Sequence, residues 1–163
     1  MLYYKILYHS AFGCFTLASD EHYIKMLAFG KHLPENVPQE ETLPPVLRLA
    51  ETQLLEYLDG QRKAFTVPVM PDGTAFSKAV WQQLQRIPYG ENLSYGALAA
   101  ALGKPKAARA VGGACHRNPI GIFIPCHRVV GSSGALTGFA GGLELKKRLL
   151  ALEAAEKANA RCR

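Results

Sequence analysis

SYGALAAALGKPKAARAVGG, residues 94–113, decides the architecture of half the chain. Ser94 carries a hydroxyl suited to accept from the unpaired N–H groups of a helix start, and the alanines and leucines after it predict a helix through Leu102. Gly103 breaks that helix, and a second is expected from about Pro105, since proline fits a first helical turn. Helix, glycine-containing turn and helix is the helix-turn-helix pattern. The second helix sets Lys104, Lys106 and Arg109 beside Ala107, Ala108, Ala110, Gly112 and Gly113, giving a cationic surface with little side-chain bulk. Such a face admits a large anion closely, or it packs tightly as ordinary surface; the residues alone leave both readings open.

Upstream, Phe76, Val80, Trp81 and Leu84 are spaced as a buried helical stripe that begins near Thr74 and must stop before Pro88-Tyr89-Gly90. Met70-Pro71-Asp72-Gly73 is a turn signal, and the charge balance changes there. We therefore divide the chain into an N-terminal α/β domain, 1–73, and a C-terminal domain, 74–163. Residues 2–8, 14–18 and 23–29 are short β-rich runs between polar turns and predict a half-buried antiparallel meander. A Pro-rich connector, Pro34 to Pro45, leads to a helical stripe of Val46, Leu47, Leu49, Ala50, Gln53, Leu54 and Leu58, expected to cover one sheet face. Phe65 to Val69 is expected to add a strand.

The chain has 163 residues, 48% apolar and 20% charged, enough for a packed core and too apolar for disorder. Its net charge of +6 is uneven: residues 1–73 balance at −3 and residues 74–163 at +9. A basic half of that size attracts polyanions by releasing their counterions. Cys14, Cys115, Cys126 and Cys162 are scattered with no CxxC pair, and the start MLYYKILYHS shows no signal-peptide pattern, so a reducing cytoplasm, or the nucleus in a eukaryote, is expected, with two disulfides as the alternative an even count allows. No apolar run approaches the ~20 residues that span a bilayer, so no membrane association is expected.

Downstream lies Asn118-Pro119-Ile120-Gly121-Ile122-Phe123-Ile124-Pro125-Cys126-His127-Arg128-Val129-Val130, an apolar run with one thiol followed at once by an imidazole and a guanidinium. A thiol nucleophile reacts as thiolate, and His127 and Arg128 would serve it if their side chains turn inward. The competing reading is a core cysteine in a buried strand, because free cysteine is commonly buried. Leu143, Leu145, Leu149, Leu150 and Leu152 mark a C-terminal helix whose basic residues are expected on its outer face.

Ile124-Pro125-Cys126-His127-Arg128-Val129 resembles the active-site signature of the methylated-DNA–protein-cysteine methyltransferases, the O6-alkylguanine-DNA alkyltransferases. Gly90 to Ala99 and Ala108 to Ala114 resemble that family's two helix-turn-helix elements. Asn118-Pro119, Gly141-Gly142-Leu143 and Leu149 to Glu153 complete the pattern in order, so the resemblance covers roughly residues 74–155. It implies an α+β fold: a small N-terminal antiparallel sheet with a covering helix, ribonuclease-H-like, and a mostly helical, winged-helix-like C-terminal domain. It also implies a DNA-repair protein that moves the alkyl group of O6-alkylguanine, with O4-alkylthymine as a further candidate, irreversibly onto its own Cys126 in a single turnover.

The family's site roles fall on residues of this chain as follows. Cys126 would be the alkyl acceptor, with His127 and Glu153 behind it through a water; Asn118 would brace the turn, and Tyr95 would donate towards the base and crowd its phosphate. Arg109 would enter the base stack from the minor groove, with Ala108, Gly112, Gly113, Lys106 and Arg117 along the double-stranded DNA. Cys115, the Val129 backbone, Phe139 and Ala140 would line the pocket. No cofactor is implied, and a monomer is expected, with cooperative clustering on DNA left open.

Two departures matter. Phe139 and Ala140 stand where many relatives have tyrosine and serine, which removes a hydroxyl and predicts tolerance of larger alkyl groups. The N-terminal half offers only Cys14 with His9, His22 and His32, not the two-cysteine zinc arrangement of some relatives, so no structural zinc is expected. Three other functions compete: a non-catalytic sensor of alkylated DNA, which Cys126 opposes; a thiol hydrolase, which leaves the helix-turn-helix unexplained; and a sequence-specific regulator.

Overall fold

The computed structural model describes residues 1–37 and 42–161, so Cys162 and part of the Pro34–Pro45 connector lie outside the described residues. The chain is α+β and falls into two compact units. One comprises residues 1–72 together with 119–123, the other residues 73–118 and 124–163.

In the first unit β1 (Tyr3–His9), β2 (Gly13–Ser19) and β3 (Ile24–Phe29) form an antiparallel sheet in that order. Side chains close the two turns. His9 Nδ1 accepts from the N–H groups of Ala11 and Phe12, and Asp20 Oδ1 accepts from those of His22 and Tyr23. Helix α1 (Pro45–Leu58) packs on β1 and β2.

The expected half-buried meander needs correction at β2, where Phe15 through Ser19 are all buried. Thr16 shows why: its hydroxyl donates to Gly30 O at 2.7 Å and accepts from His32 N at 2.9 Å, so the chain returning from β3 covers that side too. The strand expected at Phe65 to Val69 is also absent. Val69 makes only an isolated parallel bridge to Ile24. Pro68 has no N–H to give a ladder, while the buried amide of Gln53 accepts from the N–H groups of Thr66 and Val67 in a strand's place.

Residues 119–123 complete this unit. Leu27 N donates to Pro119 O at 3.0 Å, and Ile120 bridges Leu27 in parallel. Phe123 meets Phe65 edge-on at 4.6 Å between centroids. A Cβ on Gly121 would lie 2.8 Å from the Phe29 ring, which makes glycine necessary there. Ile122, fully inside, holds a φ of +66°, a strained value for a β-branched residue.

The second unit is mostly helical. Thr74 caps α2 (Ala75–Leu84) by accepting from Ser77 N, and Ser94 caps α3 (Tyr95–Ala101) by accepting from Ala97 N. Gly103, at φ +72°, turns the chain toward α4 (Ala108–His116). The second helix thus begins three residues later than expected, because Ala107 N bonds back to Lys104 O in a separate turn around Pro105. Trp81 of α2 donates to Ala114 O at 2.9 Å and fixes α4 from beneath. A parallel pair, β4 (Leu93–Ser94) and β5 (Val129–Val130), ties the start of α3 to the chain after Cys126. Helix α5 (Leu143–Arg161) closes the unit. Among the described residues no helix is long and apolar enough to cross a membrane.

Candidate active site and nucleic-acid interface

Cys126 lies in a single 3-10 turn, Cys126–Arg128, rather than in a buried strand. Pro125 precedes the turn with no N–H of its own, and Arg128 N closes it on Pro125 O at 3.1 Å. Ile124 O accepts twice, from Cys126 N at 2.8 Å and from the Asn118 side-chain amide at 2.8 Å, so Asn118 braces the chain entering the turn. All three turn residues are buried, with Cys126 only 8% exposed. Burial pushes the Cys126 thiol up, opposed by a hydrogen bond from Asn118 and the charge of Lys146.

The next two residues of the turn belong to a closed polar cluster around Glu153. His127 is 0% and Glu153 1% exposed, and His127 Nε2 lies 2.7 Å from Glu153 Oε2. Burial alone would push the Glu153 carboxyl up, but hydrogen bonds and charges from His127 and Arg128 outweigh it and hold the group at about 2. Glu153 is therefore a carboxylate that can only accept, and His127 Nε2 must donate to it. Burial holds the imidazole pKa down, against the pull of Glu153, so the ring rests neutral with Nδ1 as its basic nitrogen. This tautomer is the one a proton acceptor needs.

The guanidinium of Arg128 does not serve the thiol as expected. It forks onto Glu153, Nε to Oε1 at 2.8 Å and Nη2 to Oε2 at 3.1 Å, and its Nη1 donates to Ile87 O at 2.7 Å. A planar fork matches a carboxylate too well to be spent elsewhere. Gly90 N adds a further donor to Glu153 Oε1 at 3.0 Å.

The basic side chains of α5 are not all on its outer face either. Lys146 is 0% exposed and aligns with Leu149 and Glu153 on one helical stripe. Its Nζ donates to Val129 O at 2.6 Å and Thr137 O at 2.9 Å. The Val129 backbone, expected to line the pocket, is thus engaged at both polar groups: its carbonyl accepts from Lys146 and its N–H donates to Cys126 O. Sequence reasoning missed Lys146 because the leucines of α5 were counted as the whole inward stripe; the i, i+3, i+7 spacing of Lys146, Leu149 and Glu153 was the available signal.

Of the other pocket candidates, Cys115 and Phe139 are buried and Ala140 is exposed. Burial pushes the Cys115 thiol up to about 12, so it stays protonated. Tyr95 is half-buried, and its hydroxyl accepts from Thr137 Oγ1 at 3.1 Å. Burial raises the Tyr95 pKa, with the Thr137 bond acting in the opposite direction. Lys106, Arg109 and Arg117 are exposed, while Ala108, Gly112 and Gly113 are half-buried along α4. Among the described residues no group of three or more His, Cys, Asp or Glu gathers where a metal ion could be held. His9 instead pairs with Asp59 at 2.7 Å, and His32 bonds to Phe29 O.

A helix-turn-helix followed at once by a buried thiol, with a fixed imidazole–carboxylate pair behind it, defines a protein that performs covalent chemistry on a nucleic-acid-binding scaffold. Residues 75–155 match the 6-O-methylguanine DNA methyltransferase DNA binding domain, and residues 3–71 match the ribonuclease-like domain of the same family. The chain belongs to the 6-O-methylguanine DNA methyltransferase family.

It is 45% identical to a methylated-DNA–protein-cysteine methyltransferase of Methanosarcina acetivorans, over 93% of this chain and 98% of that one. It is 52% identical to the constitutive methylated-DNA–protein-cysteine methyltransferase of Bacillus subtilis, over 76% of this chain and 74% of the relative. Among solved structures, Mycobacterium tuberculosis OGT in complex with DNA aligns with a TM-score of 0.81 at 40% identity, covering 94% of this chain and 93% of that one.

Proposed function

We propose that the chain repairs alkylated DNA by accepting the alkyl group of O6-alkylguanine on Cys126, once per molecule. The observation that carries this reading is the Cys126 turn backed by the His127–Glu153 pair, in the unit whose helix-turn-helix matches the family's DNA-binding domain. In the reaction Cys126 Sγ bonds to the alkyl carbon as the bond from that carbon to guanine O6 breaks. The electron pair stays on the base, which takes up a proton at N1, so the thiol proton is in effect passed to the guanine. His127, neutral and oriented by Glu153, accepts the thiol proton through a bridging water. No cofactor enters this balance.

To reach the thiol the nucleotide must leave the duplex stack, at a cost of a few kcal/mol. Arg109, on the exposed side of α4, fills the gap it leaves, and Tyr95 crowds the phosphate beside the flipped base. Lys106 and Arg117 meet phosphates, and Ala108, Gly112 and Gly113 let α4 sit close in the minor groove of the duplex. The space around these glycines supports this. A Cβ on Gly112 would make only an ordinary 3.7 Å contact with the Tyr95 ring, and one on Gly113 would meet only the Arg117 side chain. Packing within the chain does not demand glycine there, whereas an approaching backbone does. Cys115, Val129, Phe139 and Ala140 line the pocket, and one copy acts on one lesion.

The test is the intact mass of the protein after incubation with a duplex containing a single O6-methylguanine, beside a Cys126→Ala control. A stoichiometric gain of one methyl group, absent in the control, is expected. Preferential binding of the lesion duplex without any gain in mass would make the protein a damage sensor instead.

A further inference from the structure

The hydroxyl of Tyr95 has one hydrogen-bond partner among the described residues, Thr137 Oγ1 at 3.1 Å. Thr137 belongs to the loop 131–142 that links β5 to α5. Two further contacts hold it. Its carbonyl accepts from Lys146 Nζ at 2.9 Å, and its methyl lies against Gly131, where a Cβ would come within 3.7 Å of it. A β-branched side chain is stiff about its first torsion, so placing the carbonyl and the methyl also aims the hydroxyl, and it is aimed at Tyr95.

The Tyr95 ring is placed separately. Tyr95 is the first residue of α3, and its ring stands beside α4, since a Cβ on Gly112 would lie 3.7 Å from the ring edge. Packing fixes the ring but leaves open the direction of the phenolic hydrogen. A tyrosine hydroxyl has one hydrogen to give and accepts through its oxygen. Because Thr137 donates to that oxygen, the Tyr95 hydrogen is not spent within the chain and remains for an incoming acceptor. Donation into the oxygen also polarises the O–H bond and strengthens its own donation, as in any chain of hydrogen bonds. Burial raises the Tyr95 pKa, and the Thr137 bond acts against that rise, in keeping with this polarisation.

We propose that Thr137 is a positioning residue for the alkyl transfer: its hydroxyl donates to Tyr95 Oη and so keeps the Tyr95 hydrogen directed at the flipped base. This inference rests on the repair reading above, with Tyr95 donating towards that base. As the bond from the alkyl carbon to guanine O6 breaks, electron density builds on the guanine, and a hydrogen bond from Tyr95 strengthens with it. Thr137 then acts through direction before the reaction and through polarisation during it. Such help is greater in the transition state than in the bound ground state, so it belongs to the transfer rate rather than to duplex affinity. No bond to Thr137 forms or breaks, and its proton stays on Oγ1.

Thr137 is exposed, so its hydroxyl can be removed without loosening the fold. Thr137→Val, which keeps the shape, and Thr137→Ala are both expected to melt within about 2 °C of the native chain. The measurement is methyl transfer from a labelled duplex bearing a single O6-methylguanine, in single turnovers with protein in excess over a range of concentrations, which separates the maximal rate from the half-saturating concentration. Both variants are expected to lose about three- to tenfold in maximal rate, the worth of one neutral hydrogen bond, with half-saturation within about twofold of native. Thr137→Ser, which keeps the hydroxyl, is expected to recover most of the rate. In a Tyr95→Phe background, where no hydroxyl is left to direct, Thr137→Val is expected to cost nothing further.

A residue that only braced the loop would behave differently in that background. A Thr137→Val rate equal to the native one, or a loss as large with Tyr95→Phe as without it, overturns the proposal. A native chain that gains no methyl overturns the repair reading and takes this inference with it. Transfer by the native chain with no effect of the Thr137 hydroxyl removes this inference alone.

Discussion

His127 Nε2 and Glu153 Oε2 lie 2.7 Å apart and bury completely, across a sequence separation of 26 residues. Glu153 also takes the fork of Arg128, so one carboxylate anchors two side chains of the turn that bears the thiol. Glu153→Gln removes that negative charge and leaves the Arg128 guanidinium buried without a counter-ion. The expected loss of stability is about 3–5 kcal/mol, read from urea unfolding. A loss below about 1 kcal/mol would mean that the cluster contributes little to holding the turn.

The same cluster sets a direction for pH dependence. The Glu153 carboxyl titrates at about 2 in the fold against an ordinary 4.5, so its contribution is complete above 4.5 and disappears as pH falls toward 2. His127 is held below its ordinary 6.5, so the unfolded chain takes up that proton first and stability begins to fall below 6.5. Denaturant unfolding from pH 8 down to 3 should show a level upper region, then a decline in two stages. Glu153→Gln should lack the lower stage; if it retains it, other carboxylates are responsible.

Gly112→Ala separates stability from binding. The added methyl meets only the Tyr95 ring at an ordinary distance, and alanine favours helix over glycine by about 1 kcal/mol. The variant is expected to melt at or above the native temperature while binding duplex DNA more weakly. Undiminished affinity in a titration with labelled duplex would remove α4 from the interface.

Pocket breadth can be measured through Ala140. The hydroxyl missing there should leave room for larger groups, so the native chain is expected to repair O6-ethyl- and O6-propylguanine faster than Ala140→Ser does, relative to O6-methylguanine. Rates equal to or slower than those of the serine variant would attribute any tolerance to other residues.

Methylation of Cys126 should itself weaken the fold. Its surroundings are closed, with His127 and Val129 fully buried beside it, and adding a methyl to a well-packed site costs roughly 1–3 kcal/mol. A lower melting temperature after one turnover is expected in calorimetry. An unchanged or higher one would show that the pocket keeps room for the product.

The helix-turn-helix was legible because its punctuation is local: Ser94 caps, Gly103 turns, and neither depends on distant residues. The three strands were legible for the same reason, through the polar turns at Ser10 and Asp20. What failed depended on partners far away in sequence. Gln53 satisfies the backbone at Thr66 and Val67, so a β-rich run never becomes a strand. Arg128 reads as a neighbour of the thiol by adjacency, yet Glu153, 25 residues on, captures it. Lys146 reads as solvated by composition, and only the placement of Val129 and Thr137 carbonyls explains its burial. Among the site candidates, Cys126, His127 and Glu153 rested on motif resemblance; spacing alone would have left Glu153 a surface charge.

The borrowing of residues 119–123 by the first unit carries a consequence for biosynthesis. That unit emerges from the ribosome without the segment that bridges Leu27 and covers Phe65, and about fifty more residues must be made before it arrives, roughly three to ten seconds at ordinary elongation rates. During that interval β3 presents an unpaired edge and an uncovered aromatic ring, the kind of surface that invites wrong pairing. Cys126 follows only three residues after the closing segment, so the thiol is born just as the first unit can be completed. A chain truncated before residue 119 would lack Cys126 and would also leave its earlier-made half unfinished.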